Sequence, residues 1–321
     1  MKLLSVLVLP LLFVTAPAHA LNIVLSNDDG LTSNVKALYE QLKADGHDVI
    51  VSVPCHGQSG MGAAIKFLEP LGPLTSNCLN DAAQVGDPGA GPMTRAGLTS
   101  DFFYVRGTPV MALLYGLDVQ AKQRWGKAPD LVLSGPNEGQ NVGSVVVTSG
   151  TVSNAQYGAI RGIPAIAFSA SEKTADNTAL AHPDSRKVAA LASRLVTFLA
   201  EKAGGQRLLP QGVALNVNFP DSLDNPKWRM ARIGSYDAFA ITFVDDLSSD
   251  PMTRALGLTL PKAPGVTLSF NATAPTADQA DNEAAVYKKA IAVSVMQIGY
   301  DHRPREAKQI ARHLKKLLDS E

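Results

Sequence analysis

From Leu21 onward, short aliphatic runs alternate with runs whose apolar positions recur every three to four residues. Asn22–Ser26 (NIVLS) reads as a strand, and Val35, Leu38 and Leu42 behind it share one face of a helix that Gly46 ends. Asp48–Val53 (DVIVSV) is the next strand. Phe102–Val105, a helix opening near Thr108-Pro109, the strand Asp130–Leu133, a helix from about Thr151 to Arg161 and the strand Ala165–Ser169 continue the alternation. Strand, helix and strand in repetition predict parallel βαβ units, hence an α/β class with a mainly parallel sheet. Such sheets bind ligands in the loops at the carboxyl ends of their strands.

Asp184–Gly205 is amphipathic, with Val188, Leu191, Ala192, Leu195, Phe198 and Leu199 on one face and Gly204-Gly205 as its stop. Gly212–Phe219 (GVALNVNF) follows as a strand. The period then changes: from about 228 to 260, short alternating stretches separated by Asp-Pro and Gly suggest a hairpin excursion, exposing Phe239, Ile241, Phe243 and Leu256 for a homo-oligomeric contact. The chain closes with a strand near Ala290–Ile298 and a helix opened by Pro304, its stripe formed by Ala307, Ile310, Ala311, Leu314 and Leu318. The Gly- and Pro-rich interval Lys66–Ser100 yields no clear element, and no internal repeat is present.

Among the 321 residues, 29 basic and 29 acidic side chains cancel, which removes any bulk cationic case for a nucleic-acid duplex. With 45% hydrophobic and 18% charged residues, the chain can bury a large core. Its first 20 residues form a different unit: Lys2, the apolar run Leu3–Val14 and Ala18-His19-Ala20 read as an export signal cleaved after Ala20. The apolar run is shorter than a membrane span. The expected product is a 21–321 domain, exported to a periplasm or secreted, carrying no membrane segment after cleavage. Cys55 and Cys78, the only cysteines, would then meet oxidising conditions; one intrachain disulfide is the expectation, with two buried thiols as the alternative.

The residues that carry chemistry follow the strands. Ser26-Asn27-Asp28-Asp29-Gly30 sets two carboxylates side by side at a strand end, where a bound cation would offset their repulsion. An Asp-Gly hairpin turn is the other reading of the dipeptide, but a helical pattern follows instead of a returning strand. Behind the second strand, Gln58-Ser59-Gly60 offers a hydroxyl in a flexible loop that matches neither a nucleophile elbow nor a phosphate-binding P-loop. Behind the third come Asn137 and Asn141 in a glycine-rich stretch, then Ser149-Gly150-Thr151 before a helix. These last residues suit either a phosphate cradle, formed with Asn141, or ordinary helix capping. Asp28, Asp29, Ser59 and Asn137 are all oxygen donors, a set suited to Mg²⁺ or Mn²⁺.

In order and context, Ile23–Gly30, Gln58-Ser59-Gly60, Gly107-Thr108-Pro109, Ser134-Gly135, Asn137, Gly139, Asn141, Gly143 and Ser149-Gly150-Thr151 resemble the stationary-phase survival protein (SurE) family. The resemblance is dense from Leu21 to about Ser169. It implies a Rossmann-like three-layer core with a protruding hairpin and a C-terminal segment used in homodimer or homotetramer assembly. It also implies a metal-dependent phosphatase acting on nucleoside monophosphates, with Asp28, Asp29, Ser59 and Asn137 holding the metal. The expected mechanism is attack by a water activated by one Mg²⁺ or Mn²⁺ per subunit and oriented by Asp28 or Asp29. Glu138, inside the glycine-rich loop, departs from the family pattern. The competing function is an exported nucleotide- or phosphate-binding protein without turnover, for which paired carboxylates would repel the ligand.

Overall fold

The computed structural model describes residues 20–255, 257–299 and 304–315. Its first half is β1 (Asn22–Ser26), α1 (Ser33–Ala44), β2 (Asp48–Pro54), β3 (Ala90–Pro92), β4 (Phe102–Val105), α2 (Pro109–Tyr115), α3 (Ala121–Trp125), β5 (Leu131–Glu138) and α4 (Gly150–Ile160). The second half is β6 (Ala165–Ala170), α5 (Pro183–Ala203), β7 (Val213–Asn218), β8 (Trp228–Ala231), β9 (Phe239–Val244), α6 (Pro251–Ala255), β10 (Gly265–Phe270), α7 (Glu283–Val286), β11 (Ile291–Gln297) and α8 (Pro304–His313). A π turn over Gly116–Gln120 joins α2 to α3. No described helix is long and apolar enough to cross a membrane.

Nine strands form one sheet in the order β3-β4-β2-β1-β5-β6-β7-β11-β8. The pairs from β4 to β7 are parallel, whereas β3 runs antiparallel to β4 and β11 antiparallel to β7. The chain starts in the middle at β1, steps outward through β2 to β4, then returns to β5 on the other side of β1. Loops on the two sides of β1 therefore diverge at its carboxyl end and open the crevice expected of a doubly wound sheet. Both faces are covered. One core packs Leu38, Leu42, Val188 and Val196 of α1 and α5 against Ile23, Leu133 and Val217. The other packs Leu113, Val152 and Ala155 of α2 and α4 against Val24, Val132 and Ala167. The aliphatic runs of β1, β5 and β6 are fully buried, as burial on both faces requires.

Three segments differ from the pattern-based expectation. The Lys66–Ser100 interval contains a short edge strand, β3, and a single 3₁₀ turn at Leu79–Asp81. The stretch expected to leave the domain near 228 instead begins as β8, which pairs in parallel with β11. The protruding hairpin comes later, as the antiparallel pair β9 and β10. On it Ile241, Phe243, Val266 and Phe270 are exposed, whereas Leu256 lies outside the described residues. Residues 1–19 and Leu318 lie outside them as well.

Cys55 and Cys78 are joined, with Cα atoms 4.7 Å apart. The bond ties the end of β2 to the Gly/Pro-rich interval, and Leu79 N–H adds a hydrogen bond to the Cys55 carbonyl at 2.8 Å.

Candidate functional site

The turn after β1 is set by its own side chains. Asn27 accepts from Gly30 N–H at 3.1 Å and donates to the Gly30 carbonyl at 2.8 Å, closing the SNDDG turn on itself. Gly30 has φ +95°, and a Cβ there would stand 3.0 Å from the Pro54 carbonyl, so only glycine fits. Asn154, on α4, braces the turn by donating to the Asn27 carbonyl at 3.2 Å. With the turn fixed, Asp28 is buried and points at the N-terminus of α4, while Asp29 stays half-buried.

Asp28 is held by α4. Its carboxylate accepts from the Thr151 hydroxyl, and the backbone of Gly150 and Thr151 lowers its pKa, so the positive end of the helix faces it. The same hydroxyl lies 3.0 Å from Asn137 Oδ1, which brings Asn137 to Asp28 through Thr151. Asn137 reaches this position through an irregularity in β5: the register with β6 shifts between Ser134 and Asn137 and re-aims the side chain. Asn137 Nδ2 donates to the Gly139 carbonyl at 2.8 Å, leaving the amide oxygen turned to the site.

Among the described residues Asp29 has a single donor, the Glu138 N–H at 3.1 Å. Burial first, then the charges of Asp28 and Glu138, hold its carboxyl well above the usual carboxylate range. Burial also raises Asp28, against the lowering effect of Thr151 and the helix N–H groups. Glu138 itself turns to Asn177 Nδ2, at 2.8 and 3.0 Å from its two carboxylate oxygens. Among the described residues no lysine, arginine or histidine pairs with any of these three acids. Nor do three or more His, Cys, Asp or Glu converge there as a metal cluster. A cation held here would take its remaining ligands from amide and hydroxyl oxygens.

Ser59 is exposed in the loop after β2. Its neighbour Gln58 donates its N–H to the Asp28 carbonyl at 2.7 Å, and Gly62 donates to the Thr148 carbonyl at 2.8 Å, so the loop bridges the Asp28 turn and the approach to α4. His56, in the same loop, hydrogen-bonds Ser76 at 3.2 Å.

The residues read as a phosphate cradle already have protein partners. Ser149 caps α4 by accepting from Val152 N–H at 3.1 Å, the capping alternative left open by the sequence. The N–H groups of Gly150 and Thr151 face Asp28. The Asn141 amide is buried and donates to Ser169 at 3.0 Å. Sequence reasoning did not foresee Thr151 as the link between Asp28 and Asn137, nor the residues that grip Asn141. The polar alternation of Asn216 and Asn218 in β7 was the only available signal for the latter.

Known proteins bear on this arrangement. The chain is 35% identical over 206 residues to an acid phosphatase of Yarrowia lipolytica, covering 62% of this chain and 56% of that one. It is 33% identical over 201 residues to the 5'-nucleotidase SurE of Lawsonia intracellularis, covering 62% and 66%. Its fold is similar to the crystal structure of the SurE protein from Aquifex aeolicus, with a TM-score of 0.62 and 25% identity over 92% of this chain and 99% of that chain. The chain thus spans 56% to 66% of the length of the first two relatives. Since the model of the survival protein SurE family matches residues 23–238, from β1 to just before the hairpin strand β9, the chain belongs to that family.

Proposed function

We propose that the protein is an exported phosphomonoesterase that hydrolyses nucleoside monophosphates to nucleoside and phosphate with the help of one Mg²⁺ or Mn²⁺ per subunit. The observation that carries this reading is the adjacent pair of buried Asp28 and half-buried Asp29 at the switch-point crevice, both raised by burial and without a cationic partner among the described residues. Such a pair is costly unless a cation or protons neutralise it. The names of the relatives, acid phosphatase and 5'-nucleotidase, point to the same chemistry.

The donor set fits a hard divalent ion: two carboxylates, the Asn137 amide oxygen turned to Asp28 through Thr151, and Ser59 on the loop hydrogen-bonded to Asp28. Asp28, Asp29, Ser59 and Asn137 would hold it. When bound, the ion supplies charge for the phosphoryl oxygens and makes water a stronger nucleophile at neutral pH. In this reading the phosphate meets the positive end of α4, where Ser149 caps the helix and Gly150 and Thr151 face Asp28, and the helix dipole steadies its developing charge. Asp29, with one oxygen on Glu138 N–H, uses the other to orient the water and accept its proton. As the water oxygen bonds to phosphorus in line, the ester P–O bond breaks, and the leaving alkoxide takes a proton from solvent.

Export is supported by the sequence of residues 1–20 and by the Cys55–Cys78 disulfide, a bond suited to an oxidising compartment. The exposed hairpin phenylalanines support a homodimer or homotetramer. The deciding test is release of inorganic phosphate from a nucleoside monophosphate with added Mn²⁺ or Mg²⁺ and its loss on chelation. Tight nucleotide binding without turnover in any metal would replace the enzyme by the binding protein.

A further inference from the structure

Asn141 and Gly143 form the far half of the loop that carries Asn137, and one buried polar cluster grips both. The Asn141 carbonyl accepts from Asn216 Nδ2 at 2.9 Å and from Asn218 Nδ2 at 3.0 Å. Gly143 donates its N–H to Glu283 Oε1 at 3.1 Å, and Asn216 Nδ2 also lies 3.0 Å from Glu283 Oε2. Asn216, Asn218 and Glu283 are fully buried. Glu283 opens α7, and its own N–H donates to the Arg232 carbonyl at 2.7 Å, while the adjacent Asn282 Oδ1 receives the N–H groups of Ser235 and Tyr236. Asn282 and Glu283 together therefore tie the base of the hairpin excursion to the loop beside the site.

We propose that Glu283 is a positioning residue: by holding Gly143 directly and Asn141 through Asn216, it sets the conformation of the loop after Asn137 and thereby the affinity for the phosphomonoester. This rests on the phosphatase reading above. Glu283 makes no hydrogen bond to Asp28, Asp29, Ser59 or Asn137, so it acts through the loop alone.

The carboxyl matters chemically because two N–H donors converge on it, one per oxygen, with the Ser294 hydroxyl beside them. A carboxylate serves both; a protonated acid or an amide must turn a donor to one side. The Oδ1 atoms of Asn216 and Asn218 are buried without a partner among the described residues, so the cluster has acceptor capacity to spare for a protonated carboxyl, which then grips Gly143 differently. Burial pushes Glu283 up to about 7. The charged or titratable groups on the surrounding elements are Asp221, Arg229, Arg232 paired with Asp281, Asp237 on Ser144 N–H, Tyr236, Tyr287, Lys288 over the Tyr236 ring and Lys289; none forms an ion pair with Glu283.

The test compares the full-length mature chain with its Glu283→Gln variant, using p-nitrophenyl phosphate and saturating Mn²⁺ across pH 5.5 to 8.5. In the unsubstituted protein KM falls as pH rises through about 7. In Glu283→Gln that transition disappears, and KM stays at the acid-side value, roughly three- to tenfold above the alkaline one, as loss of one charge-assisted hydrogen bond implies. The kcat and the Mn²⁺ affinity change by less than about twofold, because no metal-site residue is touched. Hydrogen exchange speeds up selectively in residues 139–147 and not in α1. An unchanged KM profile, or exchange raised equally everywhere, overturns the proposal. Should the unsubstituted protein release no phosphate, the enzyme reading fails by itself and inorganic phosphate binding replaces KM: selective loop exchange with weakened phosphate binding supports Glu283, and unchanged values overturn it.

Discussion

Replacing Gly150 by alanine tests whether the close approach of α4 to Asp28 matters. An added Cβ would stand 2.5 Å from Pro109 Cγ, 2.7 Å from Asp28 Cβ and 3.0 Å from Asp28 Oδ2. Carbon atoms in contact sit about 3.5 to 4 Å apart, so relief requires a displacement of about 1 Å shared among α4, Pro109 and Asp28. None of the three moves freely: Pro109 is buried at the start of α2, and the Asp28 carbonyl is held by Gln58 N–H while its carboxylate is held by Thr151. Gly150 is helical, so alanine brings no backbone strain of its own and the contacts carry the whole effect. Overpacking of this kind costs about 1 to 3 kcal/mol of stability. A shift of about 1 Å in a group that orients reacting atoms costs about a hundredfold in rate.

The assay is metal-dependent phosphate release alongside a thermal melt, with Gly158→Ala as control. A Cβ at Gly158 meets Ala165 and Val132 Cβ atoms at 3.1 Å, in the core beneath α4. Both variants should melt lower, by a few degrees for each kcal/mol lost. Only Gly150→Ala should lose about two orders of magnitude in kcat/KM. Wild-type turnover in a folded Gly150→Ala variant would refute the claim that α4 and Asp28 must touch this closely for catalysis.

Other expectations follow from the same geometry. Asp29→Asn should abolish turnover yet flatten the pH dependence of stability in chelator: a carboxyl raised in the fold lends stability that is present at acid pH and lost as pH rises, and melts of the two proteins should converge in acid. His47, buried and accepting from Leu21 N–H at 3.2 Å, is held below its usual pKa by burial, so its contribution is present above the unfolded value of 6.5 and lost as pH falls through the lowered one. Melts between pH 7.5 and 5 should show that loss, and a His47→Gln variant should lack it. Reducing Cys55–Cys78 should lower stability by about 3 kcal/mol through loop-closure entropy, measured by denaturant titration with and without reductant; identical midpoints would count against it.

What the sequence made legible was local. The aliphatic runs of β1, β2, β5 and β6 and the Asp28-Asp29 pair behind β1 are contiguous signals, and each falls in the structure where its pattern put it. β3 was not legible, because Ala90-Gly91-Pro92 has no strand character and exists as a strand only through pairing with β4. β8 reads as part of a hairpin by alternation, yet its partner is Ile291–Ser294, about sixty residues onward. In both, a tertiary neighbour decides what the local pattern leaves open.

The same division runs through the site. Thr151 looks alike as a cap, a phosphate ligand or a bridge, since all three use one hydroxyl at a helix N-terminus; only the return of the chain to β1 places Asp28 against it. Glu283 lies 140 residues from Gly143, and nothing near it in sequence suggests a buried carboxyl. Once β7 and β11 pair with Asn216 opposite Ser294, a polar stripe faces the loop and Glu283 becomes its acid. Candidate site residues on a strand end can therefore be read early, whereas residues that hold the loop around them become visible only when distant strands are side by side.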